Sequence, residues 1–341
     1  MKSSPAIWFP TVRTGTGTDI FTERLVSDLR ARGLRAEISW LPLRAEYAPW
    51  TVAIPEPPAW ADIAHVNTWL HPRFLPRNLP FIATIHHSVH HPAARAYKGA
   101  LRSAYHRFWI APNERQVMRR ASGISAVSQF VADTARRTLL DVPMRVIYNG
   151  VDTALFVPGS RQRKAGEPFR LLYVGSWMAR KGVDLLAPIM RELGEGFELH
   201  YTGGPATAQD KPSQPPNLHD IGRLRGDAAV VAAMHTADAL LFPSRSEGFG
   251  LVAAEAMACG LPVIATRGSS ITEVVQDGMT GLLCPQDDVQ AFVLAAQKLA
   301  ADKALQANMA DAARQSVEQR FSTEIMLDRY IHAYLACRPL A

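Results

Sequence analysis

The 341 residues carry 37 Lys and Arg against 31 Asp and Glu, and 48% are hydrophobic, enough apolar content for two cores at about 150 residues per domain. Cys259, Cys284 and Cys337 lie far apart with no paired spacing, which excludes a disulfide framework and a zinc ribbon and suits a reducing cytoplasm. No apolar run approaches the about 18 residues of a membrane span, and none of signal-peptide length opens the chain, so neither secretion nor membrane spanning is expected. In chain order, short β-rich apolar runs predict strands at 7–9, 36–38, 63–66, 81–85, 124–127 and 146–148. The loop Arg13-Thr14-Gly15-Thr16-Gly17-Thr18 leads into an amphipathic helix over 19–32, with Ile20, Phe21, Leu25 and Leu29 on its apolar face. Residues 151–168 loosen into a Pro, Gly and basic linker. Strands at 169–174, 197–201, 239–242, 262–265 and 281–284 follow, each leading to a helix or a glycine-bearing loop, and a last helix covers 322–337. That order predicts an α/β protein with two doubly wound parallel sheets.

Charge divides unevenly, with 19 Lys and Arg against 10 Asp and Glu in residues 1–150 and 18 against 21 in the rest. Much of the basic excess falls at 92–120, where Arg95, Lys98, Arg102, Arg107, Arg115, Arg119 and Arg120 oppose Glu114 alone. Tyr97, Tyr105, Phe108 and Trp109 interleave with them, the makeup of a segment lying on an anionic membrane surface or of a solvated basic helix. No nucleic-acid recognition motif accompanies the patch, and no nucleic-acid partner is expected. The run Thr84-Ile85-His86-His87-Ser88-Val89-His90-His91 offers neutral imidazoles for zinc, yet no local carboxylate or thiolate completes a ligand set. A dinucleotide fingerprint fails at the N-terminal loop because Ile20 stands where the third glycine belongs.

The most informative stretch runs from Ser244 to Pro262. Glu247 and Glu255 lie eight positions apart across a loop-to-helix boundary, and Gly248 and Gly250 bare backbone N–H groups at the helix entrance. That is an anion site with acids beside it. Glu255 sits among Ala, Val and Met on a helix closed by Gly260 and Pro262, costly company for a carboxylate without a partner. A nucleotide sugar suits both features, its phosphates on the amides and its hydroxyls on the acids. At Tyr173-Val174-Gly175-Ser176-Trp177-Met178-Ala179-Arg180-Lys181-Gly182, a strand empties into a glycine loop and then a helix, which lets Lys181 and Arg180 reach one diphosphate.

These residues resemble the retaining glycosyltransferases of family 4, whose E-x7-E signature is read as Glu247 and Glu255, followed by the run AMACGLPVIAT. The resemblance implies a GT-B fold: two Rossmann-like domains facing a central cleft, 1–150 for the acceptor and 151–321 for the nucleotide sugar, with the C-terminal helix of 322–341 crossing back to the first. It places Glu247 and His86 at the transferred sugar as the catalytic residues. Arg180, Lys181, Gly248, Phe249 and Gly250, with Gly15 and Gly17, then hold the donor diphosphate. Glu255, Leu251, Gly203, Arg223 and Leu224 hold the nucleoside, Gly203-Gly204-Pro205 matching the nucleotide-side loop and Gly222-Arg223-Leu224 the base-contacting turn. His87, His90 and His91 would line the acceptor side. The family usually carries Arg directly after the loop glycine, where this chain has Ser176, so either Arg180 compensates or the leaving diphosphate is less fully neutralised.

The activity implied is retaining, metal-independent transfer of a hexose from a UDP- or GDP-linked donor to a glycan or lipid-linked acceptor, in cell-surface polysaccharide or lipopolysaccharide synthesis. Front-face attack would need no side-chain base. The nucleotide sugar is a co-substrate, no cofactor or metal is expected, and the site of action is the cytoplasm, peripherally on the inner face of the plasma membrane. Three alternatives share parts of the pattern: a sugar-nucleotide epimerase of the same fold, a non-catalytic sugar-nucleotide-binding protein, and a metal hydrolase built on the histidine run.

Overall fold

A computed structural model of the protein describes residues 4–87, 89–92, 99–159, 161, 163–204 and 214–337. The chain forms two compact units, one made of Met1–Tyr148 with Glu324–Ala341 and the other of Asn149–Thr323.

In the first unit, six strands pair in parallel in the order β2-β1-β3-β4-β5-β6: β1 (Ala6–Val12), β2 (Arg35–Leu41), β3 (Ile63–Asn67), β4 (Phe81–Ile85), β5 (Gly123–Ala126) and β6 (Arg145–Val146). Successive side chains of a strand point to opposite faces, so one sheet feeds two apolar layers. Ile7, Phe9, Ile63 and Ile82 pack on one face with Leu25, Val26 and Leu29 of α1 (Gly17–Ala31) and with Met326, Leu327, Tyr330 and Tyr334 of α11 (Thr323–Cys337). Trp8, Val66, Phe81 and Ala83 face the other way, onto Leu70, Phe74 and Val117. The C-terminal helix thus belongs to the core of the N-terminal unit. A buried polar chain fastens it there: His65 Nδ1 lies 2.7 Å from the Tyr334 hydroxyl, and His65 Nε2 lies 2.6 Å from Thr84 Oγ1.

The second unit repeats the plan in the order β12-β11-β10-β7-β8-β9, again all parallel: β7 (Phe169–Tyr173), β8 (Phe197–Tyr201), β9 (Leu218–Asp220), β10 (Ala239–Phe242), β11 (Val263–Thr266) and β12 (Gly281–Cys284). Leu171, Tyr173, Leu199 and Tyr201 pack against Leu186, Ile189 and Met190 of α5 (Val183–Leu193) and Phe292 and Leu299 of α9 (Val289–Ala301). Strand order reverses between β7 and β10, and a doubly wound sheet opens its ligand crevice at the carboxyl ends beside such a reversal.

Ile20, expected on the apolar face of α1, is 50% exposed, and Val26 and Thr22 are buried in its stead. The helix phase is set by burial of Asp19, which turns Ile20 outward. The three-residue edge strand β9 and the helix α10 (Lys303–Arg320) carry too little alternation or too mixed a face to be read in advance.

Candidate functional site

The loops leaving β7 and β10 flank the strand-order reversal of the second unit. The first enters a 3-10 turn, Ala179–Lys181, that ends on Gly182 in the left-handed region at φ 70°. A Cβ on Gly182 would lie 2.2 Å from the Pro243 carbonyl oxygen, so only glycine lets the two loops touch. That approach sets Lys181 Nζ 2.6 Å from Glu247 Oε1 and Arg180 Nη1 2.6 Å from the Ser246 carbonyl. The Ser244 hydroxyl donates to the same Glu247 oxygen, the Glu247 amide donates to Ser269 Oγ at 3.2 Å, and Ser270 Oγ donates to the Glu247 carbonyl at 3.2 Å. Ser269 holds its place at φ 48°, a strained conformation for a non-glycine residue.

Glu247 is 7% exposed. Burial alone would raise its carboxyl, but the Lys181 ammonium, the hydrogen bonds from Lys181 and Ser244 and the Arg180 charge together hold it below its ordinary value. The Tyr173 phenol beneath is pushed up by burial and then by the Glu247 charge. Ser246 Oγ, on a residue 5% exposed, has no hydrogen-bond partner among the described residues. A buried hydroxyl in that state is unusual and suits a ligand contact.

Gly248, Phe249 and Gly250 are buried, and Gly250, at φ 94°, is the N-cap of α7 (Leu251–Ala258). Phe249 packs edge-on against Phe321 at 5.4 Å, so its ring serves the core and its backbone borders the site. Leu251 opens the helix half-buried, and Glu255, one turn on, is 6% exposed. Asp220, at the end of β9, was not singled out from sequence, yet it accepts from the Gly204 amide at 3.1 Å and the Gly222 amide at 2.8 Å. It thereby joins the Gly203–Gly204 loop to the turn carrying exposed Arg223 and half-buried Leu224. Thr202 Oγ1 accepts from the Gly175 amide at 2.9 Å, which ties the β8 loop to the β7 loop. Pro205 lies outside the described residues.

In the first unit the Gly15 loop departs from expectation. The Thr14 and Gly15 amides, at 2.9 and 2.7 Å, already donate to the Asp19 carboxylate. A phosphate at Gly15 would meet that negative charge, so Gly15 is a loop-shaping residue and not a free anion-binding amide. Gly17 is exposed at the first position of α1.

His86, just past β4, places Nε2 2.8 Å from Asn67 Oδ1 and packs edge-on against Phe21 at 4.6 Å. Asn67 Nδ2 donates to Thr11 Oγ1, so its Oδ1 accepts and His86 Nε2 carries the proton. Burial lowers the imidazole to about 4, leaving it neutral near pH 7.

The other histidines scatter. His90 Nε2 lies 2.6 Å from Glu114 Oε2 and His91 packs against Phe130, so these two serve contacts within the unit; His87 is half-buried, and Ser88 lies outside the described residues. Among the described residues the only three donors close enough for one metal are Glu198, His200 and His219, none of them in the histidine run.

The basic segment is helical through α2 (Ala100–Tyr105), a π-helical turn (His106–Ile110) and α3 (Ala111–Arg120); Arg95, Tyr97 and Lys98 lie outside the described residues. Two of its cations serve the fold. Arg115 donates to the Leu139 and Thr138 carbonyls at the end of α4 (Gln129–Thr138), and Arg120 donates to the Pro76 carbonyl. Among the described residues no helix is long and apolar enough to cross a membrane.

Residues 168–302 match the family described as "Glycosyl transferases group 1", and residues 20–155 match "Glycosyltransferase Family 4". The chain is 30% identical over 295 residues to glycogen synthase of Mycobacterium tuberculosis, covering 81% of this chain and 69% of that relative. Its fold is similar to sucrose-phosphate synthase from Thermosynechococcus elongatus (TM-score 0.79, 21% identity, 96% of this chain and 98% of that one). It is also similar to Anabaena HepE in complex with UDP (TM-score 0.75, 17% identity, 97% and 100%).

Proposed function

The chain belongs to glycosyltransferase family 4 and has its GT-B fold, and from that premise we propose that it transfers a hexose, with retention of anomeric configuration, from a UDP- or GDP-linked donor to a glycan or lipid-linked acceptor of cell-surface polysaccharide or lipopolysaccharide synthesis. The observation that carries the reading is the pair of part-buried Lys181 and buried Glu247 at the strand-order reversal. An ammonium has three N–H donors, and Glu247 takes one, which leaves Lys181 able to bind a diphosphate. As the anomeric bond breaks, charge growing on the leaving diphosphate is stabilised by Lys181 and by the α7 entrance at Gly248–Gly250, with Arg180 as a second cation. Fixed side-chain charge does there what a divalent ion does elsewhere, hence a metal-independent reaction.

Glu247 already accepts from Lys181 and Ser244. Such a carboxylate suits stabilisation of cationic character on the sugar better than covalent attack, and a phosphate oxygen on the departing face takes the acceptor's proton. His86, neutral and fixed by Asn67, is the second group assigned to the sugar. The UDP held by the HepE neighbour favours a uridine donor.

The lipid-linked acceptor is supported by the surface of the first unit. Leu101 is 87% exposed, Phe108 72% and Trp50 67%. Glu46 holds the two segments together, accepting from Tyr105 Oη through Oε1 and from Trp109 Nε1 through its carbonyl, both at 2.8 Å. Exposed Arg102, Arg107 and Arg119 join these apolar tips, a composition that matches the headgroup and acyl boundary of an anionic leaflet. In this reading the enzyme works peripherally on the inner face of the plasma membrane.

Transfer from UDP- and GDP-sugars to lipid extracts, with EDTA present and the product's anomeric configuration read by NMR, tests the proposal. Turnover with inversion, or only after metal addition, overturns the mechanism. Donor conversion without acceptor makes the chain an epimerase, and nucleotide binding without turnover makes it a binding protein.

A further inference from the structure

Strand β8 puts Glu198 and His200 on one face of the sheet, and the register aligns His200 with His219 of edge strand β9. His200 Nε2 lies 3.8 Å from Glu198 Oε1, and His219 Nε2 lies 3.9 Å from Glu198 Oε2. The two imidazoles meet edge-on with ring centroids 5.4 Å apart, and one donor atom from each of the three residues falls within 4.8 Å of the others. From this geometry we infer that Glu198, His200 and His219 form a zinc site that clips the edge strand β9 to β8.

The donor set decides the ion. Two imidazoles and one carboxylate suit zinc and its borderline-soft neighbours and disfavour magnesium or calcium, which take oxygen ligands. Bonds of about 2.0 to 2.2 Å in a tetrahedron set ligand atoms about 3.4 Å apart, so the two His–Glu spacings of 3.8 and 3.9 Å need to close by about half an ångström, and no donor pair, all lying within 4.8 Å, needs to close by more than about 1.4 Å. Arg170, opposite Glu198 in the register, donates from Nε to Glu198 Oε1, the kind of outer hydrogen bond that orients ligating carboxylates. Its guanidinium also donates to the Thr236 carbonyl at 3.0 Å, and the nearby Arg161 is neutralised by Asp238. The carboxylate therefore keeps an oxygen facing His219.

His219 side-chain exposure is 47%, which gives the ion an entry path and leaves a coordination position to water. His200 lies two residues before Thr202, and His219 immediately precedes Asp220, the residue that ties Gly204 to Gly222. An ion here would stiffen the strand pair from which both loops assigned to the nucleoside emerge. The site takes no part in the chemistry and stands whether or not the transferase reading does.

Titration of the untagged full chain with zinc chloride, followed by calorimetry, tests it. One equivalent should bind, and His219→Ala and His200→Ala should each weaken that binding by at least the about 10- to 100-fold seen when an outer-shell partner of a metal ligand is lost. Circular dichroism checks that the variants fold, and His219→Ala, at an exposed position, should do so. In the wild type, zinc should slow hydrogen exchange at the β9 amides, and in His219→Ala it should not. Absence of stoichiometric binding, binding undiminished in both variants, or exchange unaltered by zinc would each overturn the inference.

Discussion

Replacing Lys181 by Met removes the ammonium 2.6 Å from Glu247 and leaves a carboxylate that is 7% exposed. Breaking a buried pair from one side typically costs about 3 to 5 kcal/mol, and the Ser244 hydroxyl and the Arg180 charge that remain should keep the loss near the lower value. The pH dependence should change sign. In the wild type the Glu247 carboxyl sits below its ordinary 4.5, so its contribution is present above that value and is lost as pH falls through the lower folded value. With Lys181 gone, burial dominates, the carboxyl rises, and its contribution is instead present in acid and lost as pH climbs through the raised value. The double variant Lys181→Met, Glu247→Gln should recover most of the stability, because no uncompensated charge remains. It should not recover transfer, since the diphosphate has still lost its cation, a charge-assisted hydrogen bond contributing about 1.5 to 3 kcal/mol. Urea unfolding from about pH 3 to 8 reads the first effect, and UDP calorimetry with initial rates reads the second. A single variant destabilised by less than about 1 kcal/mol, or a double variant no more stable than the single, would refute the reasoning that the pair is a mutually dependent buried unit.

Gly182→Ala should cost more than about 2 kcal/mol in urea unfolding, because the new Cβ meets the Pro243 carbonyl at 2.2 Å and the backbone is at φ 70°; nucleotide affinity should fall with it as the two loops part. Ser246→Ala should leave the free protein as stable or slightly more so, its Oγ having no partner to lose, while donor affinity drops by about tenfold if a ligand takes that hydroxyl. Burial lowers His65 to about 3 and His86 to about 4, so the unfolded chain takes up their protons first as pH falls below 6.5. Stability should decline across that window, and His86→Asn should reduce the proton uptake on denaturation at pH 5 by about one. Phe108→Ser with Leu101→Ser should weaken sedimentation with anionic vesicles by about 1.5 to 3 kcal/mol per side chain, should those tips insert fully; equal binding by the wild type to neutral and anionic vesicles would remove the membrane from the proposal.

Alternation of apolar strands with glycine-bearing loops is a local signal, and it located eleven strands before any pairing was known. What it misplaced depended on polar contacts that apolar periodicity does not register. Ile20 looked apolar-facing because helix phase was read from side chains alone, whereas the phase follows from Asp19 turning inward to hold the Thr14 and Gly15 amides. Thr16 stands at the N-cap position without a side-chain capping bond, and the acid three residues on reaches past it to the Thr14 and Gly15 amides. The same holds at Gly15: glycine after a strand announces an open backbone, but not which anion meets its amide, and here Asp19 does.

Lys181 and Glu247 stand out in the sequence as candidates because each lies beside a glycine turn after a strand, and the structure pairs their side chains. Ser244, Ser269, Ser270 and Asp220 do not stand out, since serines and aspartates fill most loops and their meaning lies in what they touch. The left-handed φ of Ser269 gives no sequence sign at all. Glu198 and His200 at alternate positions offered a hint, yet His219 joins them only through a three-residue edge strand too short to show a period. The order of legibility follows from the physics: backbone demands are written in glycine and proline, hydrophobic demands in periodicity, but polar recognition is written in three dimensions. A site made of polar contacts is therefore read from sequence only as far as a backbone constraint happens to frame it.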